Sequence, residues 1–298
     1  ATKELHEDEM LIRIKGICET EMGRPEAKET VMKWLKMTPQ THPERGKMLA
    51  LLAKTQASKE IPMEWVPVPA GEFEMGAEGD PASADEGPKH KVSVNAFLIG
   101  KYEVTNAQYH AFVKATGHRL PENDSDPTKF SVWKGNQPLE SAEELPAINV
   151  SWDDAVAFCK WGNARLPTEA EWEKAARGTD GRIYPWGNEP PSGNRANYSF
   201  DPVSLWDGTA SLAKKDQYEF GRSAYGAFEM AGNVWEWTQD WYDENYYKSS
   251  PAENPTRPAT GENRVIRRGS WPNTADLMRA SNRNKHVPTS RRVYIGIR

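Results

Sequence analysis

The side chains with the clearest chemistry lie in the last 35 residues, Arg264 to Arg298. Arginines recur through this segment, and a planar guanidinium can hold carboxylates and backbone carbonyls in a fixed geometry. The apolar residues suited to burial that alternate with them are Trp271, Ala275, Met278, Ala280, Ile295 and Ile297. The positions in between hold chemically unrelated residues, as expected where packing does not select the side chain. The pattern predicts a rigid frame with a binding surface and no catalytic chemistry.

We call the unrelated residues the free positions, and they lie in a predicted ligand-binding region, residues 270–294. They are Pro272, Asn273, Thr274, Asp276, Leu277, Asn284, Lys285, His286, Val287, Thr289, Ser290, Arg292, Val293 and Tyr294. A fixed backbone that presents such side chains lowers the ordering cost of binding. Tyr294, Arg292 and His286 are the expected affinity anchors, because aromatic and arginine side chains dominate binding hot spots.

Thiols and imidazoles elsewhere in the chain do not form a pattern typical of catalysis or of metal binding. Cys18 and Cys159 are the only cysteines and lie far apart, which predicts neither a disulfide framework nor a structural zinc site. The six histidines are scattered. Ordinary surface or hydrogen-bonded histidines are the expected outcome.

The chain as a whole is long enough to bury a sizeable core, with 298 residues of which 37% are hydrophobic. Its net charge of −5 gives no general attraction to nucleic acid or to an anionic membrane. No apolar stretch is long enough to span a bilayer. Because the chain starts at Ala1 without Met, we expect that a targeting or anchoring segment has been removed.

Two regions with different patterns must position these residues. Residues 1–60 predict a helical N-terminal segment of about three short amphipathic helices, either packed on the main domain or serving as a partner-binding module. Residues 61–298 predict one α+β domain with long irregular loops. Strands are predicted in Met63–Met75 and Lys91–Tyr102, and helices after the N-caps Thr105, Ser151 and Thr168.

Seven strings occur in an order that resembles the formylglycine-generating-enzyme family across roughly residues 62–298. They are Val68–Gly76, Glu103–Tyr109, Pro146–Trp152, Arg165–Glu173, Tyr184–Gly187, Gly232–Trp237 and Arg268–Trp271. The resemblance implies the C-type lectin fold of the formylglycine-generating-enzyme type, with little regular structure and here a small helical N-terminal segment. It also implies copper held by two cysteines just after the Gly-Ser-aromatic string. Residues 271–278 contain no cysteine, and the His-rich facial site of the related iron enzymes is missing too, so we expect no enzyme activity.

The frame of residues 269–298 also resembles the variable region of proteins diversified by retroelements, of the bacterial surface lipoprotein type. In that family, mutagenesis directed to the adenines of Asn codons varies exposed positions on a constant lectin-type scaffold. Such a codon cannot become Lys, Glu, Gln, Met or Trp. Lys285 alone among the free positions violates this rule. The resemblance therefore implies a variable ligand-binding region at residues 270–294.

We therefore expect a receptor-like or adhesin-like protein, lipid-anchored at the outer membrane of a bacterial cell surface by a segment absent from this chain. Its partner would be a protein or another host-surface ligand, not nucleic acid. Three alternatives remain open. The C-terminal segment could be an ordinary loop of a degenerate enzyme fold, its arginines could form a nucleic-acid patch, or the chain could be a formylglycine-generating-class oxidoreductase.

No cofactor is expected to be required, but the resemblance implies a structural calcium site. Its ligands would be Glu229 and Glu236 through carboxylates and Gly232 and Val234 through backbone carbonyls. An ion pair between Glu236 and an arginine of the frame is the alternative. A second calcium site at Asn197 and Tyr198 is not expected, because its acidic partner is replaced near Ser204.

Overall fold

The computed structural model describes residues 27–39, 42–49, 63–79, 81–122, 132–199, 212–256 and 258–298. Its helices are α1 (Ala27–Met37), α2 (Asn106–Thr116), α3 (Trp152–Trp161) and α4 (Glu169–Arg177). Its strands are β1 (Trp65–Val68), β2 (Gly71–Met75), β3 (His90–Val94), β4 (Phe97–Gly100), β5 (Trp133–Lys134), β6 (Gln137–Pro138), β7 (Trp235–Trp241), β8 (Arg264–Arg267), β9 (Arg283–His286) and β10 (Ile295–Gly296). Short elements alternate with long irregular connections, so the predicted α+β class is confirmed.

The N-terminal part packs on the main domain through one apolar cluster. Its members are Val31, Trp34, Leu35, Met48 and Leu49, which contact Ala96 and Leu98. The Arg45 guanidinium donates to the carbonyls of Leu35 and Thr38 and so joins the end of α1 to helical residues 45–49. The predictions for residues 1–26 and 50–60 lie outside the described residues.

Two antiparallel pairs, β1 with β4 and β2 with β3, contribute buried residues to one apolar cluster. The strand predicted at Lys91–Tyr102 is therefore two strands, and the prediction of a single strand was wrong. The chain leaves the ladder at Asn95, whose backbone N–H donates to the Asn254 side chain at 2.8 Å. A distant loop thus satisfies this group, and β3 and β4 can pair with different partners.

The central sheet has the order β10-β7-β8-β9. β10 runs parallel to β7, whereas β8 is antiparallel to both β7 and β9. All four residues of β8 are buried. Three of these strands come from the C-terminal segment, so the predicted frame is built into the sheet.

The three helices of the main domain begin where the sequence predicts. Thr105, Ser151 and Thr168 each accept a hydrogen bond from the backbone N–H three residues later, and each helix closes a full capping box. Gly117 ends α2 at a φ of 71°, which glycine adopts without steric cost. Among the described residues, none of the helices combines the length and the apolar character needed to cross a bilayer.

Candidate functional site

Two arginines of the frame meet on one buried carboxylate. Arg267, on β8, donates to Glu169 Oε1 at 2.7 Å and to Glu173 Oε2 at 2.8 Å, both on α4. Arg283, on β9, reaches Glu169 through Nε at 2.8 Å and Nη2 at 2.9 Å. Burial alone would raise the pKa of Glu169, but the charges of Arg283 and Arg267 outweigh it and hold that pKa below its ordinary value. This cluster ties α4 to both strands that flank the first free positions.

Two further arginines close on Glu236, on β7. Arg268 Nη1 lies 2.6 Å from Glu103 Oε1 and 2.5 Å from Glu236 Oε1. Arg298 Nε lies 2.8 Å from Glu236 Oε1, and its Nη1 donates to the Gly100 carbonyl at 2.8 Å. The end of the chain is thereby joined to both β7 and β4.

Two further frame arginines, Arg264 and Arg279, also contact other residues of the protein. The Arg264 guanidinium lies between two indole rings, 3.7 Å from the centroid of Trp152 and 3.4 Å from that of Trp241. Arg279 Nη2 donates to Glu86 Oε1 at 2.8 Å. Arg264 is buried and Arg279 is half-buried, and both guanidinium groups have partners within the protein.

Most of the free positions reach the surface. The exposed ones are Asp276, Asn284, Lys285, Val287 and Thr289. The half-buried ones are Pro272, Asn273, Thr274, Leu277, His286, Arg292 and Tyr294. These twelve side chains remain the predicted ligand-binding set.

Two free positions are buried, so the expectation of one shared exposed face does not hold for them. Ser290 is 3% exposed, because it sits inside a turn where its N–H donates to the Val287 carbonyl and its hydroxyl contacts His286 Nδ1 at 2.9 Å. Val293 is 6% exposed and packs beside Trp271, because it enters β10 with its side chain toward the core. Both residues act as parts of the frame.

Asn273 has a structural role that its place among the free positions did not predict. Its Oδ1 accepts hydrogen bonds from Ser270 N at 2.9 Å, Ser270 Oγ at 2.8 Å and Trp235 Nε1 at 3.0 Å. Asn often bonds to backbone two or three residues away in this manner, and that signal was present in the sequence. The backbone N–H of Trp235 donates to the Tyr294 carbonyl. Trp235 therefore links Asn273 to Tyr294, which lie in the two halves of the free-position set.

An aromatic residue outside the set, Tyr242, borders the free positions, and sequence reasoning missed it. Lys285 Nζ lies 4.3 Å from the ring centroid of Tyr242, whose hydroxyl donates to Asp85 Oδ2 at 2.8 Å. The rings of His286 and Tyr294 are 6.4 Å apart. Burial and then the charge of Arg292 lower the pKa of His286. The surface offers aromatic faces, an imidazole and cationic side chains.

The residues of the implied calcium site fit a cation only in part. Glu229 is 2% exposed, and neither of its carboxylate oxygens has a hydrogen-bond partner among the described residues. Burial, and then the charge of Glu103, raise the pKa of Glu229 to about 8. Glu236 forms the ion pairs that the alternative predicted. The described residues contain no group of three acidic, histidine or cysteine side chains placed to hold a metal, so Gly232 and Val234 carbonyls would have to supply ligands.

The one cysteine in the described part of the chain lies away from the free positions. Cys159 is buried on α3, and burial raises the pKa of its thiol to about 12. A thiol of this kind is inert toward oxidation and toward metal ions. Cys18 lies outside the described residues.

Comparisons with known proteins agree on one fold. Residues 51–298 match the family described as the sulfatase-modifying factor enzyme 1-like domain. The formylglycine-generating enzyme of Streptomyces coelicolor is 36% identical over 277 residues, covering 78% of this chain and 87% of that protein. The inactive C-alpha-formylglycine-generating enzyme 2 of Mus musculus is 32% identical over 284 residues, covering 78% and 84%. The solved structure of Treponema denticola variable protein 1 superimposes with a TM-score of 0.58 at 24% identity, covering 78% of this chain and 92% of that one.

Proposed function

The chain belongs to the sulfatase-modifying factor enzyme family and has its C-type lectin fold, and from that premise we propose that it is a non-catalytic ligand-binding protein. Both an enzyme and a relative named inactive stand at comparable identity, so family membership is compatible with either outcome. The choice between them depends on the residues that this chain places at the site.

The proposal depends on one observation: buried ion pairs fix the frame, and the surface that the frame presents contains no cysteine. Residues 272–294 contain no cysteine, so they lack the thiolate pair that the family resemblance implies for copper. The same stretch exposes side chains of unrelated chemistry between arginines held in buried ion pairs. A pre-organised surface of this kind supports binding, because little ordering remains to be done when a ligand arrives.

The diversification of this surface is tested by sequencing sibling genes from related strains. We expect substitutions to concentrate at the twelve accessible free positions, while the buried arginines Arg267, Arg268 and Arg283 stay unchanged. Residues 243–245, which are as exposed as the five fully accessible free positions, provide the internal control. A similar substitution rate at these control positions and at the free positions would contradict the proposal.

The alternative function, a formylglycine-generating-class oxidoreductase, is favoured by the 36% identity to the Streptomyces coelicolor enzyme. Oxygen consumption on a cysteine-containing peptide, after loading with copper or with iron, separates the two functions. We expect no turnover by this chain under conditions where the Streptomyces coelicolor enzyme is active. Clear turnover would overturn the binding proposal.

We also propose display at a bacterial cell surface through a lipid anchor, with a protein or another host-surface molecule as ligand. The half-buried Tyr294, Arg292 and His286 would be the affinity anchors. Labelling of intact cells with a membrane-impermeant reagent tests the location, with a periplasmic protein as the negative control. Labelling of this protein no greater than that control would contradict surface display.

A structural calcium ion remains part of the proposal, held by Glu229 with the carbonyls of Gly232 and Val234. Glu236 would join it only by sharing its carboxylate with Arg268 and Arg298. The support is the pair of unpartnered Glu229 oxygens, since hard oxygen ligands suit this ion and a buried carboxylate needs a compensating charge. The bound ion would supply that charge and fix the loop before β7.

A further inference from the structure

A cavity of about 660 Å³ opens between the C-terminal half of α2 and the β5–β6 hairpin. Trp133 holds the hairpin against the helix: its indole N–H donates to Asn106 Oδ1 at 2.9 Å, and its ring lies edge-on to His110 at 5.7 Å. The polar side chains that line the cleft include His110, Lys114, His118, Arg119, Lys134 and Gln137. Its volume falls in the range of small-molecule sites, roughly 300–1,000 Å³.

Two exposed lysines, Lys114 and Lys134, give the described lining of the cleft a positive charge. None of the described side chains that line it is acidic. The carboxylate of Asp154 is buried and accepts from His118 Nε2 and from Arg119 Nε, each at 2.8 Å. Lys114 and Lys134 are exposed at the rim, and neither is ion-paired within the described part of the chain. In a chain of net charge −5, this concentration is a local feature and does not reflect the overall composition.

We propose that this cleft binds a small ligand through an oxyanion group: a sulfate, a phosphate or a carboxylate. The ammonium groups of Lys114 and Lys134 would be its charge partners, because charge-assisted hydrogen bonds to oxyanions are the strong ones. Arg119 also lines the cleft, but its ion pair with Asp154 compensates its charge, so the two lysines are the charge partners of the ligand. The amide of Gln137 supplies a neutral donor at the same wall.

The first turn of α3 lies between the cleft and Pro288, whose two neighbours in the chain are free positions. The backbone N–H of Trp152 donates to the Pro288 carbonyl at 2.9 Å, and Asp154, two residues later on α3, holds the cleft's Arg119. The cleft itself is built from residues outside the free-position set. The proposal therefore stands whether or not the free positions bind a ligand.

The test is calorimetric titration of the whole chain with sodium sulfate, sodium phosphate and sodium glucuronate, at an ionic strength held constant with chloride. We expect saturable binding of at least one of these salts and none of glucose. The salt that binds identifies which oxyanion the cleft prefers. Absence of saturable binding by all three would overturn the proposal.

Two variants locate the binding. Lys114→Gln and Lys134→Gln should each weaken it about tenfold, the loss expected for one charge-assisted hydrogen bond. Lys248→Gln, a change at an exposed lysine that does not line the cleft, should leave it unchanged. Thermal unfolding confirms that each variant is folded. Equal affinity of the Lys114→Gln/Lys134→Gln double variant and the parent chain would also overturn the proposal.

Discussion

At the residue scale, arginines in the C-terminal segment serve two different purposes. Arg267 is fully buried and donates to Glu169, Glu173 and the Ala280 carbonyl. Arg292 is half-buried at a free position. Removal of one partner from a buried ion pair leaves the other charge uncompensated, whereas truncation at a surface position changes little.

We therefore predict that Arg267→Met lowers the free energy of unfolding by about 3–5 kcal/mol. Arg292→Met, the same chemical change at a half-buried free position, should lower it by no more than about 1 kcal/mol, because its guanidinium remains in contact with water. Urea unfolding followed by tryptophan fluorescence measures both. Equal losses in the two variants would contradict the division into frame and free positions.

Glu229 gives a second residue-scale prediction, on pH and calcium. Its folded-state pKa of about 8 lies above its ordinary value of 4.5, so the folded state holds a proton that the unfolded chain releases. The free energy of unfolding should therefore fall as pH rises from about 4.5 to about 8, by up to about 1.4 kcal/mol per pH unit. Chemical unfolding at several pH values in a chelator measures this slope.

Glu229→Gln is the matched control, because it keeps the shape and removes the titration. The slope due to this residue should disappear in the variant. If calcium binds here, it should raise the melting temperature of the parent chain near pH 8 and leave that of Glu229→Gln unchanged. An equal calcium shift in both proteins would remove Glu229 from the site.

At the element scale, the turn that leads from β8 into the free positions depends on close packing. Gly269 has a φ of 87°, and a Cβ added there would lie 2.6 Å from Met278 Cε and 2.8 Å from the Leu277 carbonyl oxygen. Gly226 has nearly the same φ, 89°, but nothing lies within 4 Å of such a Cβ. Substitution at Gly226 therefore measures the cost of backbone strain alone, and substitution at Gly269 adds the cost of steric overlap.

We predict that Gly226→Ala costs about 1–2 kcal/mol of stability, the cost of a left-handed backbone for an L residue. Gly269→Ala should cost about 1–3 kcal/mol more, because backbone as well as side chain must move. Differential scanning calorimetry of the two variants gives the comparison. Equal losses of stability in the two variants would mean that the turn at Gly269 rearranges to accept a Cβ, and would contradict a rigid frame.

At the scale of the whole molecule, the fold should tolerate wholesale exchange of its exposed free positions. We predict that simultaneous replacement of Asp276, Asn284, Lys285, Val287 and Thr289 by serine shifts the melting temperature by less than about 5 °C, since such substitutions rarely change stability. The buried Val293→Ser should cost more by itself, because it removes apolar contacts and buries a hydroxyl. A larger loss in the fivefold variant than in Val293→Ser would contradict the proposed surface.

Sequence patterns alone predicted the starts of three helices, the family and the fold. The three capping boxes at Thr105, Ser151 and Thr168 involve residues only three positions apart, so the sequence contains all the information needed. The ordered strings likewise predicted the family and the fold. The strand predicted over Lys91–Tyr102 failed, because a side chain 159 residues away from Asn95 interrupts it.

By itself, the sequence determined the fold class and the helix starts, and it predicted a division of residues 264–298 into frame and free positions. Only the tertiary structure decided that Arg267 and Arg283 share Glu169, that Ser290 and Val293 are buried, and that Lys114 and Lys134 line one cleft. The physical reason is the separation along the chain. Arg267 and Glu169 are 98 residues apart, and no local pattern encodes which buried carboxylate a guanidinium will meet.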